Sequence, residues 1–480
     1  MNQYLERVVD LTEPTANQIY NMTVDEAREL LLHGPPEKVH DIEGSFALVA
    51  RAGKTVKLAR SLDRPMRYFL AKRSEGPALV VAHRIDAIRD WLAKEGFGGQ
   101  FHPNYTRMVP AHYVVELQLI GCPDPDPTYT RFFTPQRNAL TTDLDEIGRR
   151  YISALAEEIA KWLRAIDSGA GFQPVKSGAG FQPVQFNNKK IQLGLEAQRG
   201  RQDACPTTLG QPIGVCFSGG IDSGAVFLTT YHVMKKLGLD LGRLKAFTLT
   251  FGDGPDLEQA RRFLDSLGLG LFLEPIEADL ASLDVGETIR VIEDYKLLDV
   301  ECATMGLALC RGIRARYPDW RYLIDGDGGD ENLKDYPIEE NPELTIRSVV
   351  NNRMLYQEGW GVGTIKHSLT YSGGLSRSYA RTYAPGHRYG FAGFSPFTRP
   401  GVIEVAEGIP FIALTDYDVN KLYSLKGEIV SRGVKALTGL EMPVFEKRRF
   451  QHGAVPKDKL RMRLPEQEAN YRKEFLAIYE

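Results

Sequence analysis

Residues 215–224 of this 480-residue chain read Val-Cys-Phe-Ser-Gly-Gly-Ile-Asp-Ser-Gly. A short apolar run ends in a Ser-Gly-Gly turn, and apolar residues then recur at helical spacing. The pattern predicts a strand, a glycine loop and a helix. Backbone N–H groups of such a loop and of the helix start can bind an anion. Asp222 would repel an anion, and it is better suited to hold a cation such as Mg²⁺.

Strands and helices alternate from residue 211 to about 335, which predicts a mostly parallel sheet with helices on both faces. The glycine loop follows the first strand, and residues 246–251 form the second. The third strand ends at an acidic loop, residues 325–331, with the sequence Asp-Gly-Asp-Gly-Gly-Asp-Glu. Because ligands of such sheets bind at the carboxyl ends of the strands, we expect both loops to form one site. An ordinary strand–helix turn and a solvated acidic turn are the alternative interpretations.

The Ser-Gly-Gly-Ile-Asp-Ser segment resembles the pyrophosphate loop (PP-loop) of ATP pyrophosphatases, which cleave ATP to AMP and pyrophosphate. It lacks the Gly-Lys-Ser/Thr of a Walker A loop. The acidic loop resembles the S-G-E-G-x-D-E segment of asparagine synthetases, with Asp325 and Asp327 replacing a serine and a glutamate. β-Lactam synthetases share this architecture. Further segments similar to the family are 254–257, 292–295, 395–397 and 446–450.

The resemblance implies that the chain uses ATP and Mg²⁺. The metal would be held by Asp222 and Asp330, which come from two different loops. The residues that would bind ATP, through its pyrophosphate end or through backbone beside its adenosine, are Ser218, Gly219, Gly220, Asp222, Ser223, Cys216, Leu249 and Gly326.

The resemblance also implies two catalytic residues. Lys447 would stabilise the charge that develops on the α-phosphate, although it could also be one more surface lysine of a basic run. Asp327 would orient the amine or accept its proton, if its short side chain reaches the acyl centre. Lys426 would be a second contact to the phosphates.

Residues 1–135 contain a short helix at 85–92 and short strands, predicted at 45–50, 56–60, 67–71, 78–82 and 112–117. Strands of this kind indicate a β-rich layered domain. In order, these pieces are similar to the glutaminase half of asparagine synthetase, an Ntn-type domain. That domain uses an N-terminal cysteine as its nucleophile, whereas this chain has Asn2, and its first cysteine is Cys122. We therefore expect a degenerate glutaminase-like domain.

The stretch between the two halves has a different character. Residues 136–165 carry a helical pattern, and residues 168–176 and 177–185 are near-identical copies that share Gly-Ala-Gly-Phe-Gln-Pro-Val. The Gly and Pro content of these copies predicts a flexible surface insertion. The predicted organisation is therefore 1–135 glutaminase-like, 136–210 helix and linker, and 211–480 synthetase-like.

The overall composition narrows the class of partner. A formal net charge of −3 favours neither nucleic acid nor an anionic membrane as a partner. Five cysteines without metal-ligand spacing, and no signal-peptide pattern at the N-terminus, indicate reduced thiols and a cytoplasmic location. A homodimer is left open.

The sequence predicts an AMP-forming, ATP-dependent ligase that joins a small-molecule carboxylic acid to an amine or ammonia. Residues 390–394, Gly-Phe-Ala-Gly-Phe, replace the Gly-Val-Glu-Ala-Arg of asparagine synthetases, and Glu301 stands in place of an arginine. Losing these cations disfavours aspartate as the acid. Phe391 and Phe394 either line a site for a more apolar acid or pack in the core. A β-lactam-type intramolecular cyclase and a non-catalytic nucleotide-binding protein remain alternatives.

Overall fold

A computed structural model of the chain describes residues 7–74, 76–118, 127–168, 211–252, 254–334, 379–446, 453–455 and 457–479. The N-terminal part consists of short strands and two helices. These elements are β1 Arg7–Asp10, β2 Gln18–Ile19, α1 Val24–His33, β3 Gly44–Ser45, β4 Ala47–Ala52, β5 Thr55–Arg60, β6 Arg67–Ala71, β7 Ala78–Ala82, α2 Ile85–Lys94, β8 Arg107–Met108, β9 Tyr113–Gln118 and β10 Thr128–Arg131.

The strands form two four-stranded sheets, with the orders β1-β7-β6-β8 and β10-β9-β5-β4. Side-chain alternation along each strand decides what it contacts. Leu79 and Val81 of β7 share the core between the sheets with Val49 of β4, while Val80 of β7 packs with α2. Leu48 of β4 packs instead with α1. The layers are therefore α1, sheet, sheet and α2, which confirms the predicted β-rich layered fold.

The rest of the described chain is an α/β unit. Its elements are α3 Leu144–Ser168, β11 Ile213–Cys216, α4 Ile221–Lys236, β12 Leu244–Thr250, α5 Pro255–Asp265, β13 Leu273–Glu277, α6 Val285–Ile292, α7 Leu297–Arg316, β14 Tyr322–Ile324, α8 Gly329–Asn332, α9 Ala384–Arg388, β15 Ala392–Phe394, α10 Pro400–Glu407, α11 Phe411–Thr415, α12 Leu422–Thr438, α13 Lys457–Arg461 and α14 Glu468–Tyr479.

Five strands form one sheet with the order β13-β12-β11-β14-β15, and every neighbouring pair is parallel. Val215 of β11 lies in the core that contains residues of α3, α4 and α12. Leu249 of β12 and Leu323 of β14 lie in a second core with residues of α7. Helices therefore cover both faces of the parallel sheet, as the alternating pattern predicts. Strands β13 and β15 widen it beyond the three strands that the sequence indicates.

Helix α3 crosses α12 at a backbone contact. Gly148 and Gly433 face each other there, and a Cβ on Gly148 would lie 2.5 Å from the carbonyl oxygen of Ile429. Because the side chains of α3 enter the core of the parallel-sheet unit, this helix fixes the position of α12.

The predicted boundary at residue 210 stays a prediction, since residues 169–210, which hold nearly all of the tandem repeat, lie outside the described residues.

The two packed N-terminal sheets, named the β-sandwich from here on, are joined to the parallel-sheet unit through buried ions. Arg399, immediately before α10, donates hydrogen bonds to the carbonyl oxygen of Gly44 at 3.0 Å and to Ser45 Oγ at 2.8 Å. It also forms an ion pair with Asp63 at 2.6 Å.

None of the helices in the described part of the chain combines the length and the apolar character that a bilayer crossing requires.

Candidate active site

The glycine loop connects β11 to α4 at the carboxyl edge of the parallel sheet. Gly219 has φ +72°, and a Cβ there would lie 2.9 Å from Ala260 Cα of α5, so both the turn and the packing require glycine. The hydroxyls of Ser218 and Ser223 lie 3.2 Å apart, and the Gly220 N–H donates to Ser218 Oγ at 3.4 Å. The loop is thus a strand–glycine turn–helix, as predicted, and Gly220 is the N-cap of α4.

The start of α4 provides hydrogen-bond donors at this edge. The first N–H groups of a helix have no carbonyl acceptor within the helix, and the helix dipole adds positive potential there. The N-cap Gly220 carries no side chain that could accept from them. The first turn of α4, with the two serine hydroxyls beside it, has the donors that an oligophosphate needs.

The acidic loop follows β14 and is organised by Asp325. This buried carboxylate accepts hydrogen bonds from the Asp327 N–H at 3.0 Å and from Ser395 Oγ at 2.9 Å. Burial and the neighbouring Asp327 raise the pKa of Asp325 well above its usual value. Asp325 therefore shapes the loop from inside the protein and ties it to the end of β15.

The glycine loop and the acidic loop are in backbone contact. A Cβ on Gly326 would lie 2.8 Å from the Ser223 backbone nitrogen, and a Cβ on Gly329 would overlap the Asp222 carboxylate. The glycines of the acidic loop thus leave the space in which the Asp222 carboxylate lies. The two loops that the sequence places at different strand ends form one site.

A lysine from α12 lies between the two predicted metal ligands. Lys426 Nζ donates to Asp222 Oδ2 at 2.6 Å and also to Asp330 Oδ1. The Lys426 side chain is 2% exposed, against 21% for Asp222 and 29% for Asp330. The three residues come from α4, α8 and α12, so folding brings together positions up to 204 residues apart in the chain.

The donor set around Asp222 and Asp330 fits Mg²⁺. Both ligands are carboxylates, which this hard cation prefers, and the missing Cβ of Gly329 leaves room for the Asp222 carboxylate. No group of three or more His, Cys, Asp or Glu ligands occurs in the described part of the chain. The protein would therefore provide two carboxylates, and phosphate oxygens and water would complete the coordination.

Asp327 points toward a different set of partners. Its Oδ2 accepts a hydrogen bond from Thr382 Oγ1 at 2.6 Å, and the Arg381 guanidinium interacts with it electrostatically. Burial raises the pKa of Asp327 to about 6, and the positive charge of Arg381 opposes this shift. Arg381 is itself 3.6 Å from Asp299 of α7. A carboxylate with a pKa near neutrality is suited to proton transfer.

The predicted adenosine contacts lie on adjacent strands. Cys216 is paired with Phe247 in the β11–β12 register, and Leu249 lies two residues further along β12. Gly326 follows β14 on the other side of β11. The three backbone positions therefore share the carboxyl edge of the sheet with the glycine loop. Burial raises the pKa of the Cys216 thiol well above its usual value, which keeps it protonated.

Lys447 lies outside the described residues, as do Asn2 and Cys122. The chain is described up to residue 446 and again from residue 453, and a residue from each of these segments contacts α5. Phe445 packs 6.5 Å from the Phe263 ring, and Gly453 lies against the carboxylate of Asp256.

Two aromatic residues that could have lined the acid site are in the core instead. Phe394 is 1% exposed and stacks on Trp162 with ring centroids 4.8 Å apart. Phe391 is fully buried, with the Arg314 guanidinium 4.1 Å from its ring centre. They are packing residues, and they indicate nothing about the acid. Glu301, which replaces a family arginine, is paired with Arg461.

Sequence reasoning missed Arg381 and Thr382. They lie on a π-helical turn, Tyr379–Tyr383, that packs against α7. A Cβ on Gly306 of α7 would overlap the Arg381 carbonyl oxygen, so this glycine permits the contact. No motif marks the two residues, because their relation to Asp327 spans 55 positions and arises only in the fold.

Comparison with known proteins agrees with this geometry. Residues 207–383 match the family model of asparagine synthase. No curated protein matches the chain. The family is ATP-dependent, typically with Mg²⁺, and the match implies ATP-dependent amide ligation at the family level. The resemblance in the glycine loop and the acidic loop is thereby confirmed, and the chain carries an asparagine synthase domain over residues 207–383.

Proposed function

We propose that the protein is an ATP-dependent, AMP-forming ligase that adenylates a small-molecule carboxylic acid and passes the acyl group to an amine or ammonia. The observation that carries the proposal is the contact between the two loops. A glycine loop that ends at a helix N-terminus meets two carboxylates, Asp222 and Asp330, at one edge of a parallel sheet. The hydrogen-bond donors that would bind phosphate and the carboxylates that would bind the metal are thus adjacent.

The reaction has two steps. A carboxylate oxygen of the acid attacks the α-phosphorus, the bond between the α- and β-phosphates breaks, and pyrophosphate leaves. The amine nitrogen then attacks the acyl carbon, loses a proton, and AMP leaves. Mg²⁺, when bound, would neutralise charge on the phosphates.

Individual residues would contribute to these steps by binding and orienting. Ser218, Gly220 and Ser223 would hold the pyrophosphate end, and backbone at Cys216, Leu249 and Gly326 would contact the adenosine. Lys447 would stabilise charge in both transition states. Asp327, oriented by Thr382, would accept the proton that the amine nitrogen loses. Its raised pKa makes it a stronger base than an ordinary aspartate.

We also propose that the β-sandwich has no glutaminase activity. Asn2 provides no nucleophile, and the buried ions of the sandwich already have protein partners. Asp63 is held by Arg64 and Arg399, and Arg60 donates to the carbonyl oxygens of Val109, Ser61, Leu62 and Arg64. The nitrogen would then come from ammonia, a separate amine or an amine within the substrate.

The test is pyrophosphate release against a panel of acids and amines. The wild-type protein should release pyrophosphate with at least one acid, and Asp222→Ala should abolish this release while the protein stays folded. Asp240→Asn is the matched control, since this exposed aspartate lies at the opposite edge of the sheet, before β12. Near-normal release by Asp222→Ala, or no release with any acid, would contradict the proposal.

The nitrogen source is tested with amide-labelled ¹⁵N-glutamine, ATP and the acid that the panel identifies. Unlabelled product is the expected result, formed when ammonia or an amine is added or when the acid itself carries the amine. Labelled product with an equal amount of glutamate would refute the absence of glutaminase activity and leave the ligase proposal intact.

A further inference from the structure

The feature that the proposed reaction does not explain is the position of Lys426. Its ammonium binds one oxygen of Asp222 and one of Asp330, and it is more deeply buried than either carboxylate. A lysine whose role was limited to a phosphate contact would not have to lie between the two metal ligands.

We propose that Lys426 makes metal binding depend on the nucleotide: its ammonium holds Asp222 and Asp330 in the free protein, so that a divalent cation enters only together with the triphosphate. This inference rests on the proposed metal role of the two aspartates. It does not depend on which acid or amine is used.

Electrostatics explains why Lys426 would weaken metal binding in the absence of nucleotide. Two carboxylates attract a dication strongly, but an ammonium already bound between them cancels part of their charge. A dication entering beside Lys426 would be repelled at a separation of a few ångströms, in surroundings where water screens little because the lysine is 2% exposed.

The position of α12 gives a second reason. Lys426 lies in the second turn of α12, and this helix is fixed against α3 by the backbone contact of Gly148 and Gly433. The helix cannot withdraw the lysine, so only the flexible side chain can re-aim its ammonium.

A triphosphate provides what would re-aim it. Its oxygens would offer the ammonium new acceptors next to the glycine loop, and its negative charge would offset the repulsion between lysine and dication. The two aspartates would then be available to the metal. Lys426 would thus contact carboxylates before nucleotide binding and phosphate after it.

The experiment measures Mn²⁺ binding to the full chain by electron paramagnetic resonance without nucleotide. Wild type should bind Mn²⁺ weakly at this site, and Lys426→Met should bind it about tenfold more tightly or better, because a positive charge is removed. Lys426→Arg, which keeps the charge, should behave like wild type. Lys426→Met combined with Asp330→Asn should lose the gained affinity.

Adding a non-hydrolysable ATP analogue to the wild-type protein is the second measurement, and it requires no variant to fold. It should increase Mn²⁺ affinity sharply. Equal Mn²⁺ affinity with and without the analogue, or a Lys426→Met variant that binds no more tightly than wild type, would overturn the inference. Neither readout needs turnover, so a failure of the ligase proposal would be seen separately in the pyrophosphate assay.

Discussion

Two buried groups in the described part of the chain, the sandwich cluster around Asp63 and the loop cluster of Asp325 and Asp327, have aspartate pKa values shifted in opposite directions. Asp63, in the β-sandwich, accepts hydrogen bonds from the hydroxyls of Ser45 and Ser61, each at 2.8 Å, and ion-pairs with Arg64 and Arg399. Burial, the largest single cause, would raise its pKa, but the two arginines and the two hydroxyls together outweigh burial and lower it.

The acidic loop has the opposite balance. Asp325 is close to Asp327, which also interacts with Asp330, and burial raises the pKa of both Asp325 and Asp327. Among the described residues, Arg381 lies near Asp327 and Lys426 near Asp330, and each of these cations is shared with another carboxylate. The comparison teaches that arginines and hydroxyls of the protein compensate the sandwich cluster, whereas burial dominates at Asp325 and Asp327, as expected if the loop serves the proposed reaction. Such shifted groups concentrate at functional sites.

The largest expected effect is at the sandwich cluster. Asp63→Asn would leave Arg64 and Arg399 buried without their counter-charge, and breaking a buried pair in this way costs about 3–5 kcal/mol of unfolding free energy. Urea unfolding monitored by circular dichroism measures it. A loss well below this range would show that the two arginines find other partners, and the contrast between the clusters would then be wrong.

Asp327→Asn should have the reverse profile. The neutral amide removes a carboxylate that is costly to ionise, so the unfolding free energy should stay the same or rise, while kcat should fall by roughly 10²-fold because the proton acceptor is lost. Urea unfolding and the steady-state rate of AMP formation with acid and amine present, both on the purified variant, separate the two quantities. If the variant lost stability and kept its kcat, Asp327 would belong with the structural cluster.

Lowering the pH should affect the two clusters differently. Asp327 must be deprotonated to accept a proton, so kcat/KM should fall as the pH drops below about 6, close to tenfold per unit. The folded-state pKa of Asp63 is lowered, so its contribution to stability is complete above the usual aspartate pKa and is lost only as the pH falls below it. An activity profile that is flat from pH 5 to 8 would contradict the first expectation.

The smallest expected effect concerns the hydroxyl that orients Asp327. Thr382→Val keeps the shape but removes the donor, and one such hydrogen bond is worth about 0.5–1.5 kcal/mol, or up to about tenfold in kcat. Thr382→Ser, which restores the hydroxyl, should recover activity. Equal kcat values for the valine and serine variants would show that Thr382 does not orient Asp327.

The sequence predicts much of the fold because local patterns determine it. Alternation identifies β5 of the sandwich, short apolar runs identify β6 and β7, and the apolar periodicity after Gly220 identifies α4. The same local chemistry indicates that the glycine loop and the acidic loop form one site. The edge strands β13 and β15 were missed, because β13 contains a proline and two glutamates and β15 has only three residues with a central glycine.

The remaining features depend on contacts between distant parts of the chain. The placement of Lys426 between two aspartates follows from the crossing of α3 and α12, and no local motif encodes it. Phe391 and Phe394 could be assigned to the core only once Trp162 and Arg314 were seen against them. The role of Asp325 likewise appears only in the fold, where its carboxylate faces inward and accepts a hydrogen bond from Ser395.

The central claim, that the acidic loop serves adenylation of an acid, has a direct test in the fate of a carboxylate oxygen. The acid that gives the strongest pyrophosphate release is labelled with ¹⁸O in its carboxylate, and the products are analysed by mass spectrometry. Attack on the α-phosphate transfers one labelled oxygen to AMP and leaves pyrophosphate unlabelled, which is the predicted result. Formation of ADP with the label in inorganic phosphate, or AMP without label, would contradict the account.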